Sequence, residues 1–378
     1  MISPDAVRQL AQSSEKYCIT LYLNTGPNLS RAQFPTRFHN LTRSLNSSVP
    51  ESDRKVFERI SEKVTNFLGQ YRPAANSILV VASEAGWHEF ASRVPVRDEV
   101  SWGPPNISQL LWLLDEYRPY GLLIADQVNI RFLAVRLNEY EEFKEFAATI
   151  DTREWREQSV GSSSRGGAVR GGRNVDLFNH RYLEQVKTFW RTLHKPLSDL
   201  VERYHVRRLV LAGGKAILPD FLKSLPQRLA GLVIAQVHLD TFTSPHDAVE
   251  RVWPEIEAWE RRREKDIVSE LLNAAGVSSK AAVGAEPVLK YLQEGRAARL
   301  IVVKDYDQEV AQCPVCRFVS TNNTSDCRQC GSGQVRKSLL TSVLPRLVAD
   351  HGLPVEVVKG EAATELARNG GIGVVLRF

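Results

Sequence analysis

Four of the five cysteines in this 378-residue chain lie within one short stretch, as Cys313, Cys316, Cys327 and Cys330. The pattern is C-x2-C, ten residues, then C-x2-C followed by Gly331. Each C-x2-C pair bends the backbone so that two thiolates meet one ion, and two pairs complete the tetrahedron that zinc accepts from four sulfurs. The residues between the pairs are mostly polar (Ser320, Thr321, Asn322, Asn323, Thr324, Ser325), as suits the tip of a ribbon. An ion so held has no open coordination position and is structural, replacing a hydrophobic core in a segment too small to build one. Two disulfides or four free thiols are the alternatives. The N-terminus has no basic region followed by an apolar stretch, so no secretion signal is evident, and this favours zinc. Cys18, inside the strand-like YCITLYLN, reads as a small buried hydrophobe.

The chain is long enough for two or three domains, each with its own core. With 43% hydrophobic and 25% charged residues, it is neither disordered nor fibrous. No run approaches the roughly 18 apolar residues of a membrane span, so no membrane association is expected and the cytoplasm is the expected location. A net charge of +5 permits nucleic-acid binding without demonstrating it. What matters is where the arginines cluster.

Residues 17–24 and 77–82 read as strands, and in the helical stretch between them Val56, Ile60, Val64, Phe67 and Leu68 share one face behind Glu51 and Asp53. Pro104 and Pro105 precede a helix, NISQLLWLLDEY, and a new strand pair, YGLLIADQVNIRFLAVRL, then sets a boundary near residue 117. An acidic stretch (Glu139, Glu141, Glu142, Glu145) leads into GSSSRGGAVRGGR, residues 161–173. Its five glycines, three serines and three arginines leave nothing to bury, so it reads as a flexible loop. An amphipathic helix starts near His180, with Leu183, Val186, Trp190, Leu193, Leu197 and Leu200 at steps of three and four and a kink expected at Pro196. Helix and strand alternate from there to the C-terminus, which argues an α/β sandwich. Within this part, WERRREKD reads as a solvated helix face.

The AGGK of residues 212–215 lacks the spacing of a phosphate loop and reads as a strand-to-helix turn. His238, Asp240, His246 and Asp247 form the one near-cluster outside the cysteines, and they read as loop polarity because their spacing does not share a face. The glycine–arginine loop is the informative feature. Glycines let backbone N–H groups approach phosphates or a carbonyl, and arginines supply salt-sensitive phosphate contacts; an ordinary flexible linker is the alternative.

In this order, the parts resemble the archaeal and eukaryotic class-1 peptide-chain release factors, their ribosome-rescue relative Pelota, and the bacterial branch of that superfamily. Arg165, Gly166, Gly167 and Ala168 stand before a long helix, where the family carries its RGGQ loop. LVLAGGKAILPDFL matches the family's strand ending in an Ala-Gly turn, and Gly284 through Gly295, followed by RLIVVKD, matches a G-x-x-x-V-x-x-x-L-x-x-G segment. Archaeal members place cysteine pairs after that strand, and the chain end from Gly370 to Phe378 resembles the family's GGIGAILRY. The likeness spans roughly residues 118–378. It implies three α/β domains: an N-terminal domain at 1–117, an RNase-H-like middle domain at 118–257, and at 258–378 a domain like the kink-turn-binding ribosomal proteins with a zinc ribbon inserted at 313–330. It also implies binding at the ribosomal A site, with a translational GTPase against the last two domains.

Two departures qualify the function. Ala168 stands where the release-factor glutamine helps place the attacking water, and Arg173 after Gly171 and Gly172 cannot replace it. No NIKS tetrapeptide occurs in residues 1–117, so the family's usual stop-codon reading is unsupported. The sequence therefore reads as a factor binding the A site of stalled or idle ribosomes, in rescue or hibernation. Arg165, Arg170 and Arg173 would contact ribosomal RNA or the tRNA end, and Gly166, Gly167, Gly171 and Gly172 would let the loop thread a narrow channel. A peptidyl-tRNA hydrolase using backbone donors around Gly166, Gly167 and Ala168 is the second, less favoured reading. A zinc-stabilised RNA or protein adaptor is the third. No small-molecule cofactor is expected.

Overall fold

The computed structural model describes residues 4–11, 13, 15–27, 29–46, 49–148, 171–240, 242–277, 280–304, 306, 308–322 and 325–377. The chain divides into two compact units, Met1–Tyr117 with Glu260–Phe378, and Arg118–Trp259. Helices and strands are interspersed along the chain, a mixed α/β fold.

The N-terminal part of the first unit runs α1 (Pro4–Ala11), β1 (Cys18–Asn24), α2 (Phe34–Leu45), α3 (Arg54–Gln70), β2 (Ser77–Ala82), β3 (Trp87–Ser92), β4 (Glu99–Gly103) and α4 (Ser108–Glu116). The four strands form an antiparallel sheet in the order β3-β2-β1-β4. Phe57, Ile60, Val64 and Leu68 of α3 are buried against Ile19, Leu21 and Leu23 of β1. Val56 and Phe67 are only partly buried, so the buried stripe is turned slightly from the expected face. Cys18 is buried, and burial together with the Glu15 carboxylate pushes its thiol up to about 12, so it is inert as a nucleophile.

In the second unit β5 (Tyr120–Ala125), β6 (Asn129–Arg136) and β7 (Glu139–Ala147) precede α5 (Gly171–Thr192), α6 (His194–Arg203), β8 (Leu209–Gly213), α7 (Leu218–Ser224), α8 (Gln227–Ala230) and β9 (Val233–His238). The sheet order is β7-β6-β5-β8-β9, with β5, β8 and β9 parallel and β6 antiparallel to both its neighbours. Helices cover both faces. Leu123, Phe132 and Leu211 pack under Val186, Trp190 and Leu197, while Leu122, Ile124 and Val210 pack under Val249, Val252 and Ile256. Burial on both faces explains why these strands are continuously apolar and not alternating. The expected kink at Pro196 is a break at Leu193 between α5 and α6, since a proline cannot donate within the ladder. Leu183, expected on the apolar face, is exposed. The acidic stretch is strand β7, whose carboxylates sit at a sheet edge; Tyr204 donates to Glu142 at 2.7 Å.

The helix α9 (Pro245–Val277) follows, with Pro254 inside it. The first unit then continues through β10 (Ala281–Val283), α10 (Ala285–Gln293), β11 (Ala297–Val303), β12 (Glu309–Gln312), β13 (Val319–Ser320), β14 (Arg336–Leu339), α11 (Leu340–His351), β15 (Val355–Val358), α12 (Gly360–Arg368) and β16 (Ile372–Leu376). One sheet has the order β10-β16-β11-β15, and a small antiparallel sheet has the order β13-β12-β14. The terminal glycines are required by packing. Gly371 has φ of +73°, and a Cβ there would lie 2.3 Å from the Tyr306 ring; one at Gly373 would lie 2.4 Å from Leu271.

The WERRREKD segment is solvated on one side only: Arg262, Lys265 and Asp266 are exposed, but the opposite side is buried. Glu260 and Glu264, one helical turn apart, are each 4% exposed. Arg261 Nη2 donates to both oxygens of Glu116 at 2.8 Å and lies 3.1 Å from Glu264. Lys359 Nζ is 2.9 Å from Glu116, and its backbone N–H donates to Glu264 at 3.0 Å. Arg263 bridges Glu260 at 2.8 Å and Glu356 at 2.6 Å, and Asp115 accepts the Val357 N–H at 2.7 Å. This network ties the end of α4 to α9 and β15 within the first unit. A buried carboxylate survives only when paired, and each of these has at least one cation or N–H partner. Burial still pushes the Glu264 carboxyl up to about 7, with Glu116 and Asp115 adding to the rise and the Lys359 N–H and Arg261 opposing it.

Candidate metal centre and the glycine–arginine segment

The small sheet presents its cysteines on two matching turns. In the first, the Cys313 N–H donates to Phe318 O and the Arg317 N–H returns to Cys313 O, both at 2.9 Å. In the second, the Cys327 N–H donates to Ser332 O at 2.9 Å and the Gly331 N–H to Cys327 O at 2.8 Å. Each turn closes with a residue in the left-handed region, Arg317 at φ +65° and Gly331 at φ +73°. Sequence shows why at the second turn, where glycine fits without cost, but not at the first, where arginine accepts the strain.

The turns converge. The four Sγ atoms lie within 4.8 Å of one another, with Cys313 to Cys330 at 3.6 Å and Cys316 to Cys327 at 3.4 Å. Zinc–sulfur bonds of about 2.3 Å in a tetrahedron separate sulfurs by about 3.8 Å, so the donor set fits such an ion. None of the four is in a disulfide. Cys313 and Cys327 are buried, and Cys316 and Cys330 face outward. The backbone N–H of Cys316, aided by that of Val315, holds the Cys313 thiol down, to about 6. The N–H of Phe318 acts the same way on Cys316, yet desolvation and the neighbouring thiols push it up to about 12. One thiolate forms readily among four crowded sulfurs and the next resists, which a divalent cation would reverse.

The other candidates are placed less completely. Arg165, Gly166, Gly167, Ala168 and Arg170 lie outside the described residues. Gly171, Gly172 and Arg173, expected in the loop, form the first turn of α5, which begins nine residues before its expected start. Further along that helix, Tyr182 donates to Gln127 at 3.0 Å and Trp190 packs edge-on against Phe221. The AGGK segment is a strand-to-helix turn between β8 and α7. His246 pairs with Glu250 at 3.4 Å, and Asp240 caps the Phe242 N–H at 3.0 Å. Among the described residues the cysteines are the one group able to hold a metal ion.

Comparison with known proteins bears on the middle of the chain. Residues 105–258 match the family described as Bacterial archaeo-eukaryotic release factor family 10. No curated protein matches the chain in sequence. Among solved structures, the archaeal translation termination factor aRF1 is similar at 16% identity over 100% of this chain and 99% of that one, with a TM-score of 0.26. Pelota of Archaeoglobus fulgidus is similar at 16% identity over 82% and 81%, with a TM-score of 0.33. The S. cerevisiae protein Dom34, a translation termination-like factor interacting with Hbs1, is similar at 10% identity over 80% of each chain, with a TM-score of 0.42. By the family match, the middle segment of the chain, residues 105–258, is similar to the bacterial family of archaeo-eukaryotic release factors.

Proposed function

We propose that this protein is a cytoplasmic, ribosome-associated translation factor that occupies the A site of stalled or idle ribosomes, in rescue or hibernation. The observation that carries this reading is that the matched segment, residues 105–258, contains the glycine–arginine strip 161–173 and the helix it enters. Arg165, Arg170 and Arg173 contact ribosomal RNA or the tRNA end in this account, and a translational GTPase is the expected protein partner. The strand order β7-β6-β5-β8-β9, with its single antiparallel β6, supports an RNase-H-like middle domain. The sheet of β10, β16, β11 and β15 is assigned to a domain like the kink-turn-binding ribosomal proteins. Cys313, Cys316, Cys327 and Cys330 hold one zinc ion whose role is structural, supported by four converging thiols.

The test is cosedimentation with ribosomes across a salt series. Pelleting at low salt that falls steeply as salt rises is expected, with a shallower slope after Arg165, Arg170 and Arg173 are changed to alanine. Failure to pellet at low salt defeats the proposal and leaves the adaptor reading. Release of labelled peptide from ribosome-bound peptidyl-tRNA is expected to stay at background, because the methyl group of Ala168 cannot place water. Release that Gly167→Ala abolishes would instead establish the hydrolase.

A further inference from the structure

A solvent-open cleft of about 930 Å³ separates the cysteine ribbon from α10 and α11, and all of its walls belong to the first unit. The ribbon is pinned beside it by one side chain. The Val319 N–H donates to Gln293 Oε1 at 2.8 Å, and Gln293 Nε2 donates to Val319 O at 3.0 Å. The Val319 side chain is buried in the core beneath. Gln293 thus already fills the outer edge of β13 at Val319, where an added strand would pair, so an occupant of the cleft is held by side chains.

Those side chains are mostly cationic. Arg317 and Arg328, one from each cysteine turn, line the ribbon wall, and Lys290 of α10 and Arg346 of α11 line the opposite ones. Of the carboxylates in the lining, Asp350 is 3.7 Å from Arg346 and Glu294 is 3.6 Å from Arg296, which leaves Glu286. Among the described residues, Arg317, Arg328 and Lys290 form no ion pair. The balance favours an anion, and guanidinium groups match phosphate oxygens in a fork of parallel donors. Phe318, half-buried, adds an aromatic ring to the same lining. Arg317 also holds a φ of +65° where the matching turn uses glycine. A non-glycine residue kept in that conformation points to a use for its side chain, and this side chain belongs to the cleft.

We propose that the cleft binds a segment of single-stranded RNA, with phosphates on Arg317, Arg328 and Lys290 and a base stacked on Phe318. Unpaired bases stack on such rings while a basic groove follows the backbone. An acidic peptide would satisfy the cations, but its carboxylates have no flat surface to offer Phe318. The site is separate from the strip at 161–173 and does not depend on A-site binding.

The test uses the full-length, zinc-loaded chain with Arg165, Arg170 and Arg173 changed to alanine, so that the strip's own cations are absent. Binding of a labelled oligouridylate of about ten nucleotides is followed by fluorescence anisotropy across a salt series, beside an oligoglutamate of the same length. Saturable RNA binding that weakens as salt rises is expected, with oligoglutamate about tenfold weaker, the margin one stacked base supplies. Arg317→Gly, which relieves the backbone, should weaken RNA binding severalfold and lower the salt slope by about 0.7, as should Arg328→Gln. Phe318→Leu should weaken binding about tenfold and leave the slope unchanged. Zinc content and melting temperature verify that the ribbon of each variant is intact. Absence of saturable RNA binding at low salt, oligoglutamate binding as tight as RNA, or an unchanged salt slope in the folded, zinc-loaded double variant Arg317→Gly, Arg328→Gln would each overturn the proposal. No ribosome enters these measurements, so their failure is distinguishable from a failure of ribosome pelleting.

Discussion

At the scale of single residues, the two cysteine turns give the sharpest contrast. Arg317 and Gly331 occupy equivalent positions in the same left-handed conformation, but only one is a glycine. A Cβ at Gly331 would meet nothing within 4 Å, so the cost of Gly331→Ala comes from the backbone alone. It is expected at about 1 kcal/mol by denaturant unfolding of the metal-loaded protein, and Arg317→Gly is expected to be neutral or mildly stabilising. Glu264 supplies a second residue-scale prediction. Its folded value of about 7 lies above its ordinary 4.5, so its contribution to stability is full below that ordinary value and is lost as pH rises through about 7. Thermal unfolding at pH 5 and pH 8 should therefore differ, and Glu264→Gln, which keeps an acceptor for the Lys359 N–H, should raise the melting temperature at pH 8 and narrow the difference. An unchanged difference would mean that the carboxyl is ionised throughout.

At the scale of elements, the ribbon and the buried ion network behave oppositely. The ribbon has little core besides Val310 and Val319, so Cys327→Ser is expected to lose the metal, seen as less than one equivalent per chain, and to open β12–β14 to hydrogen exchange. The network belongs to a well-packed unit. Removing Glu116 leaves Arg261 and Lys359 facing each other without the carboxylate, and Glu116→Ala is expected to cost about 3 kcal/mol in chemical denaturation. These two cases also show what could be read in the chain. The ribbon was legible because its ligands are close in sequence, and helices such as α3 because their apolar spacing is regular. The network was not, because Glu116, Glu264 and Lys359 meet only after α4, α9 and β15 have packed, and a run such as WERRREKD looks solvated until then. Strand β7 was hidden for a related reason, since an edge strand can carry carboxylates that a central strand could not. The start of α5 was missed because Gly171 and Gly172 argue against a helix on propensity alone.

For the whole molecule, scaffold and glycine–arginine strip are expected to have separate roles. Among the described residues, buried side chains pack on both faces of the sheet of residues 118–259, and the glycine, serine and arginine side chains of 161–170 have little apolar surface to bury. Deleting 161–170 is therefore expected to change the melting temperature by no more than about 1 °C while removing most salt-dependent pelleting with ribosomes. A large loss of stability would show the strip to be part of the fold. The most direct measurement is a reconstruction of this protein bound to a ribosome. Residues 161–173 are expected in the A site, in contact with RNA and directed toward the peptidyl-transferase centre. Density that places them in solvent, or against the protein's own surface and away from RNA, would contradict the account.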